Sequence, residues 1–364
     1  MTAELVVGRR VVATAPVRVA DVGGWTDTWF GSPGRVCHVA VGPGVEVDAR
    51  LVEHPGPAPG AGAVHLVAPD IGVDQVVGPG GHPEAPSWTT PAPGRHPLLE
   101  HAVASVVGPA ALPVDLGIEV RISSQVPPGA SLGTSAAVLV ALIGALDALI
   151  AGEQRFPEEL AVLAHQVETQ RAGREAGVQD QWAAAMGGVG LLAIGPYPEV
   201  RHESIAVPAR AAAELDDRLV TVVFGPHDSS SVHAEVINAM VGCGGAEHDR
   251  SRQALRRLSA LAGDAAAALA DGALDGWGEV MVASTEAQRE LHAGLVGPAH
   301  QAAIDVARSH GAVGWKVNGA GGDGGSLTIL AGTSGAAGLA EALAREPAWQ
   351  VVDVQLAPDG LRTR

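Results

Sequence analysis

The chain is 364 residues long and carries 40 acidic against 23 basic residues, a formal net charge of −17, with 47% hydrophobic and 3% aromatic residues. This is the composition of an acidic globular protein, long enough for about two domains that each bury a core. It argues against nucleic acid and anionic membranes as partners, because affinity for either rests on clustered Lys and Arg that neutralise phosphates.

Cys37 and Cys243 lie too far apart for a disulfide framework or a zinc-ligand spacing and read as buried thiols of a reducing cytoplasm. The opening MTAELVVGRRVVATAP lacks a cationic start followed by a long apolar run, so no secretory signal and a cytoplasmic location are expected. The longest apolar stretch, Ala136 to Leu146, falls well short of the roughly 20 residues that span a bilayer. Lys316 is the single lysine, and it is followed by Val317 and precedes its glycines. A Walker A loop needs Lys followed by Ser or Thr after a glycine run, so an ordinary P-loop NTPase is excluded. A protein kinase is disfavoured too, for want of its strand lysine and catalytic-loop signature.

Through residue 53 the chain alternates apolar and polar residues, as in VVATAPVRVADV and GVEVDARLV, which predicts strands with one buried face. His54 to Ala63 and Gly78 to Pro97 are rich in Pro and Gly and read as surface loops flanking a short strand pair. LGIEVRISS predicts a strand that runs into PPGASLGTSAA and a long apolar helix. LAVLAHQVETQR predicts a helix, and GVQDQWAAAMGGVGLLAI a loop, a short helix and a strand, with a boundary expected at Gly195 to Pro198. The second half opens on the strand RLVTVVFG and continues through alanine-rich helices to HQAAIDVARSHGAVGWKVNGAGGDGGSLTIL. Arg250, Arg252, Arg256 and Arg257 fit a solvated helix face better than a basic patch.

The segment Pro128-Gly129-Ala130-Ser131-Leu132-Gly133-Thr134-Ser135 stands between a predicted strand and a predicted helix. Small residues there let backbone amides converge on a phosphate while the helix points its unpaired N–H groups and positive dipole end at the charge. The same residues read equally well as a glycine turn with Thr134 or Ser135 capping the helix.

PPGASLGTSAA resembles the phosphate-binding motif of the GHMP kinases, the galactokinase, homoserine kinase, mevalonate kinase and phosphomevalonate kinase superfamily. Ala15-Pro16-Val17-Arg18-Val19 leading to Gly23-Gly24-Trp25-Thr26-Asp27 resembles the family's first motif, in the form seen in L-fucose kinases and heptose 7-phosphate kinases, and Lys316 to Gly325 resembles its third. The resemblance implies an α+β, two-domain kinase. An amino-terminal domain over residues 1–195, like domain 2 of ribosomal protein S5, would hold the phosphate loop and the acids. A ferredoxin-like domain over 196–364 would close the cleft. ATP and Mg²⁺ are the implied cofactors. Pro128 to Ser135 with Gly319, Ala320, Gly321 and Gly322 would bind ATP, Ser135 and Glu168 would ligate magnesium, and Asp180 and Arg18 would be catalytic. Asp27, with Gly24, Trp25 and Thr26, would bind the acceptor, and the implied reaction is transfer of the γ-phosphate to the anomeric hydroxyl of a sugar or sugar phosphate. A carboxylate suits an acceptor site because it accepts two hydroxyl donors at once, and two acids meet the needs of phosphoryl transfer: a metal to neutralise phosphate oxygens and a group to orient the attacking hydroxyl. Ser131 stands where the family usually has glycine, Thr134 where it has serine, and Asp323 where it has glycine, which narrows the loop and adds a negative charge near an anionic ligand.

Gly319 to Gly324 also spell G-x-G-x-x-G, but a dinucleotide fingerprint opens a helix and SLTIL predicts a strand. His227 and His233 lack a third metal ligand nearby and are expected in a loop lining the sugar pocket. Lys316 as a pyridoxal-phosphate lysine has no partner for the ring nitrogen. Arg171 and Arg174 are candidates to clamp a phosphate on the acceptor. A sugar sensor without turnover, and a kinase for a non-sugar alcohol, are the competing readings.

Overall fold

Valine and alanine dominate the first two strands, β1 (Arg10–Val22) and β2 (Gly34–Glu53), which pair antiparallel over nearly their whole length. In this computed structural model, residues 5–53, 63–82, 85–91, 96–110, 112–113, 115–151, 155–225, 229–241 and 245–364 are described. The strands β3 (Val64–Ala68) and β4 (Val73–Val77) form the expected short pair. Gly78 to Pro97 is not all loop: Pro79–His82 (β5) and Ala85–Pro91 (β6) make a two-stranded hairpin. Prolines are tolerated in such a pair because each strand has a free edge.

After α1 (Pro97–Ala110), β7 (Leu116–Ser124) pairs with β2 antiparallel and with β3 parallel. The helix α2 (Thr134–Ile150) is apolar almost all round and buried, lying on β1 and β2 with α1, α3 (Pro157–Gln166) and α4 (Gln179–Met186) beside it. The predicted helix LAVLAHQVETQR ends in a π-helical turn over Val167–Arg171. β8 (Val189–Ile194) and β9 (Val200–Ile205) extend the sheet from the first half of β2. The turn from Gly195 to Pro198 therefore joins two strands of one sheet.

Beyond α5 (Ala209–Arg218) come β10 (Leu219–Val223), α6 (Ser229–Val241), the long α7 (Ala246–Ala270), α8 (Leu274–Leu291) and α9 (Pro298–Ser309). Then follow β11 (Gly314–Val317), β12 (Ser326–Leu330), α10 (Ala337–Leu343) and β13 (Gln350–Val352). These strands form a second, four-stranded antiparallel sheet in the order β11-β12-β10-β13, with α8, α9 and α10 packed on it. The chain then returns: β14 (Gln355–Leu356) pairs with β2, and β15 (Arg362–Thr363) with β1. The architecture is α+β, with one helix-covered sheet in each half.

The halves meet along β1. Helices α2 and α4 pack on it, and so do α7, α8 and β11 of the second half. From Ala15 on, every residue of β1 is buried, so polar side chains there must find partners inside the protein. Among the described residues no helix is long and apolar enough to cross a membrane. Cys37 is buried, and burial pushes its thiol up to about 12; Cys243 lies outside the described residues.

Candidate active site

A cleft of about 420 Å³ opens where β1, the 129–136 loop, the π-turn, α4 and the 319–320 loop converge. Its floor is the start of α2. Gly133, in the left-handed region at φ +73°, precedes the helix, and no side chain caps it. Neither Thr134 nor Ser135 caps the helix, so the first amides of α2 have no side-chain partner among the described residues. Ser131, at φ +56°, occupies a conformation that glycine adopts without cost.

Opposite the loop, Arg18 from β1 and Asp180 from α4 form a pair. Arg18 Nε donates to Asp180 Oδ1 at 2.8 Å, and Nη1 donates to the Ser131 carbonyl at 2.7 Å. Burial opposes the Arg18 charge, yet Asp180, Asp21 and Asp27 together hold its pKa above the ordinary value. Asp180 Oδ2 accepts no hydrogen bond from the described residues, and the Asp180 side chain lines the cleft. The close approach of loop and acid depends on Gly133, where a Cβ would come within 3.1 Å of Asp180 Cγ.

Glu168 is carried by the π-turn, a distortion frequent at functional sites. It is buried and accepts Gln181 Nε2 at 2.7 Å, and the neighbouring Ser135 hydroxyl favours its ionised form. Burial, and then the like charge of Asp180, push its carboxyl up to about 7. A buried carboxylate with a hydroxyl partner and no cation bonded to it is a donor set of hard oxygens, and it fits a magnesium ion.

Asp27 is likewise buried, and burial pushes its carboxyl up to about 6, with Asp180 adding to it. It accepts the Gln179 N–H at 3.1 Å. Gly177 admits it: a Cβ there would lie 2.0 Å from Asp27 Oδ2. Trp25 and Thr28 line the same end with His233 and Glu175.

Other expected residues take different places. Gly24 and Thr26 do not line the cleft; the Thr26 hydroxyl is buried and donates to backbone carbonyls at Gly23 and Arg35. Trp25 packs mostly into a small core, 4.7 Å from the His233 ring, whereas Trp29 is exposed and donates to Glu175 at 2.8 Å. Gly319 and Ala320 border the cleft, while Gly321 packs against the Leu295 carbonyl and Gly322 pairs with Val296. Pro128 lines a neighbouring apolar pocket of about 250 Å³ formed with Ile71, Leu98, Leu99, Val126 and Val138. Gly129, Thr134, Ser135 and Arg174 border both spaces, and Arg171 borders neither. Asp323 is exposed and does not line the cleft. His227 and Asp228 lie outside the described residues, and His233 sits on α6, not in a loop; among the described residues no cluster of metal-ligating side chains forms.

Two groups were not assigned from sequence. Asp21 is buried behind Arg18, with Nη1 3.8 Å away, and accepts the Gly319 N–H at 3.1 Å with both oxygens. Lys316 is buried 3.6 Å from Asp21. The only sequence signal was that two charged residues stand in otherwise apolar strands.

The chain matches the family model for the GHMP kinases N terminal domain over residues 99–188. It is 49% identical over 72 residues to a mevalonate kinase of Thermococcus sibiricus, which is 20% of this chain and 21% of that kinase. The match thus spans about a fifth of the length of that curated relative. In fold the chain is similar to a D-glycero-D-manno-heptose 1-phosphate kinase from Bacteroides thetaiotaomicron, with a TM-score of 0.72 and 18% identity over 97% of this chain and 98% of that one. It is also similar to a Lactococcus lactis galactokinase complexed with galactose, with a TM-score of 0.71 and 16% identity over 97% and 95%. The family model and the sequence relatives show a likeness to the GHMP kinases N terminal domain over residues 99–188, and the structural likenesses show that the chain as a whole shares the fold of these kinases.

Proposed function

We propose that this chain is an ATP-dependent phosphotransferase that moves the γ-phosphate of ATP to the anomeric hydroxyl of a sugar or sugar phosphate. The observation that carries the reading is the uncapped amino terminus of α2 facing the Arg18–Asp180 pair across one cleft. The loop amides of 129–135 hold the phosphates, and the apolar pocket beside Pro128 takes the base. Ser135 and Glu168 would hold magnesium, which supplies positive charge against the phosphate oxygens. Asp180 accepts the acceptor hydroxyl on its free oxygen and takes its proton as the oxygen bonds to the γ-phosphorus and the bond to ADP breaks. Arg18 keeps Asp180 in place and balances the charge of the transferring group. Asp27 accepts hydrogen bonds from further acceptor hydroxyls.

The sugar reading is supported by the structural neighbours named for a heptose phosphate and for galactose. A second reading, a mevalonate-type alcohol, is favoured by the sequence relatives. Against it stands Asp27 in the cleft, whose carboxylate suits an acceptor with several hydroxyl donors, as a sugar has. ADP release on free sugars, sugar phosphates and mevalonate tests the proposal: turnover on a sugar supports it, and turnover on mevalonate alone overturns the sugar assignment.

A further inference from the structure

We infer that Lys316 is a positioning residue for the catalytic pair: by neutralising Asp21 it leaves Arg18 free to hold Asp180. The inference takes its activity readout from the kinase reading above.

Arg18 stands between two carboxylates. It bonds Asp180 at 2.8 Å and lies 3.8 Å from Asp21. The Asp21 side chain is 0% exposed and that of Asp180 29%. Charges attract more strongly out of solvent, so Asp21 is the stronger competitor for the guanidinium. Arg18 nevertheless bonds Asp180. The cation that satisfies Asp21 is Lys316, fully buried at 3.6 Å, with Nζ donating to Gln288 Oε1 at 2.8 Å and to the Val317 carbonyl. Although burial opposes its charge, Lys316 and Arg18 hold the Asp21 carboxyl below its ordinary value.

The inventory of charge around the pair supports this arrangement. Arg18 and Lys316 face Asp21 and Asp180 directly, with Asp27 acting on Arg18 from further off. Burial pushes His38, the neighbouring imidazole on β2, down to about 3, so it adds no cation. Burial also lowers the Lys316 ammonium to about 8, a cost that an apolar residue on β11 would avoid. The same Asp21 carboxylate receives the Gly319 N–H, so the lysine also fixes the loop that borders the cleft.

The test compares K316M with the charge-balanced D21N/K316M, both checked for folding by circular dichroism. In K316M the stranded Asp21 draws Arg18 away, and kcat is expected to fall about 100-fold with acceptor KM within about threefold of wild type. In D21N/K316M no charge is stranded, and kcat is expected to return to within about tenfold of wild type. A double variant no better than K316M overturns the inference, because a packing role for Lys316 is not repaired at Asp21. Should K316M not fold, the double variant against wild type decides by the same limit. A crystal structure of K316M, or of the double variant beside wild type, separates this inference from the kinase reading. Arg18 moved onto Asp21 in K316M, and back on Asp180 in the double variant, supports it even without turnover, and Arg18 unmoved in K316M overturns it.

Discussion

Arg18 Nε and Asp180 Oδ1 lie 2.8 Å apart although 162 residues separate them. One is anchored in a strand buried on both faces, the other in the first turn of a short helix packed on that strand. A side chain held at both ends in this way is preorganised, and its charge costs no reorganisation when a phosphoryl group arrives.

Gly133 is the point at which the phosphate loop touches this pair. Its φ of +73° and the 3.1 Å approach to Asp180 both oppose a side chain. Gly133→Ala is expected to destabilise the fold by about 1–2 kcal/mol and to lower kcat/KM for ATP at least about tenfold. Denaturant unfolding and initial-rate kinetics measure the two effects separately.

Gly177 plays the corresponding part at the acceptor end. A methyl group there would displace Asp27, from which it would stand 2.0 Å, and break the hydrogen bond from Gln179. For Gly177→Ala, acceptor KM is expected to rise about tenfold or more while KM for ATP stays unchanged. Equal rises in both would show that Asp27 does not serve the acceptor alone.

Glu168 makes stability depend on pH. Its folded pKa of about 7 lies above the ordinary value of 4.5, so folding favours the neutral carboxyl. The stability it contributes is full below the ordinary value and is lost as pH rises through about 7. Without divalent metal, Tm should fall between about pH 5 and about pH 8, and Glu168→Gln should reduce that slope, Asp27 with its carboxyl at about 6 keeping the remainder. Magnesium, which takes the ionised form, should raise the wild-type Tm more at the alkaline end. Differential scanning fluorimetry across the range reads all three curves.

Arg174 borders the loop and the apolar pocket together. If the proposed nucleotide placement holds, Arg174→Ala is expected to raise KM for ATP several-fold with acceptor KM unchanged. A selective loss on phosphorylated acceptors would place it at the other end.

Much of this site is legible in residues that keep their meaning locally. The 129–135 residues alone read equally as a phosphate cradle or a capped glycine turn, the motif resemblance favours the cradle, and the absence of a cap on α2 is what the structure adds. Glu168 and Asp180 stand out through the motif resemblance, yet the π-turn that aims Glu168 has no signature in LAVLAHQVETQR. Asp21 and Lys316 are not legible as a pair, because their partnership spans the two halves, 295 positions apart in sequence order between β1 and β11. Nor are β14 and β15, two residues each, whose pairing is set by the strands they join and not by their own propensity. Gly319 to Gly322 read in sequence as one ATP-binding loop, but of these only Gly319 and Ala320 border the cleft, because Gly321 and Gly322 pack on residues 295 and 296.

The most direct measurement is ADP release with ATP and magnesium across free aldoses, deoxy sugars and heptose phosphates, with Asp180→Asn beside the wild type. The account predicts turnover on at least one sugar, reduced about 1000-fold or more by the substitution while ATP still binds. A wild-type chain that binds ATP and turns over none of them, or an Asp180→Asn chain as active as wild type, would contradict it.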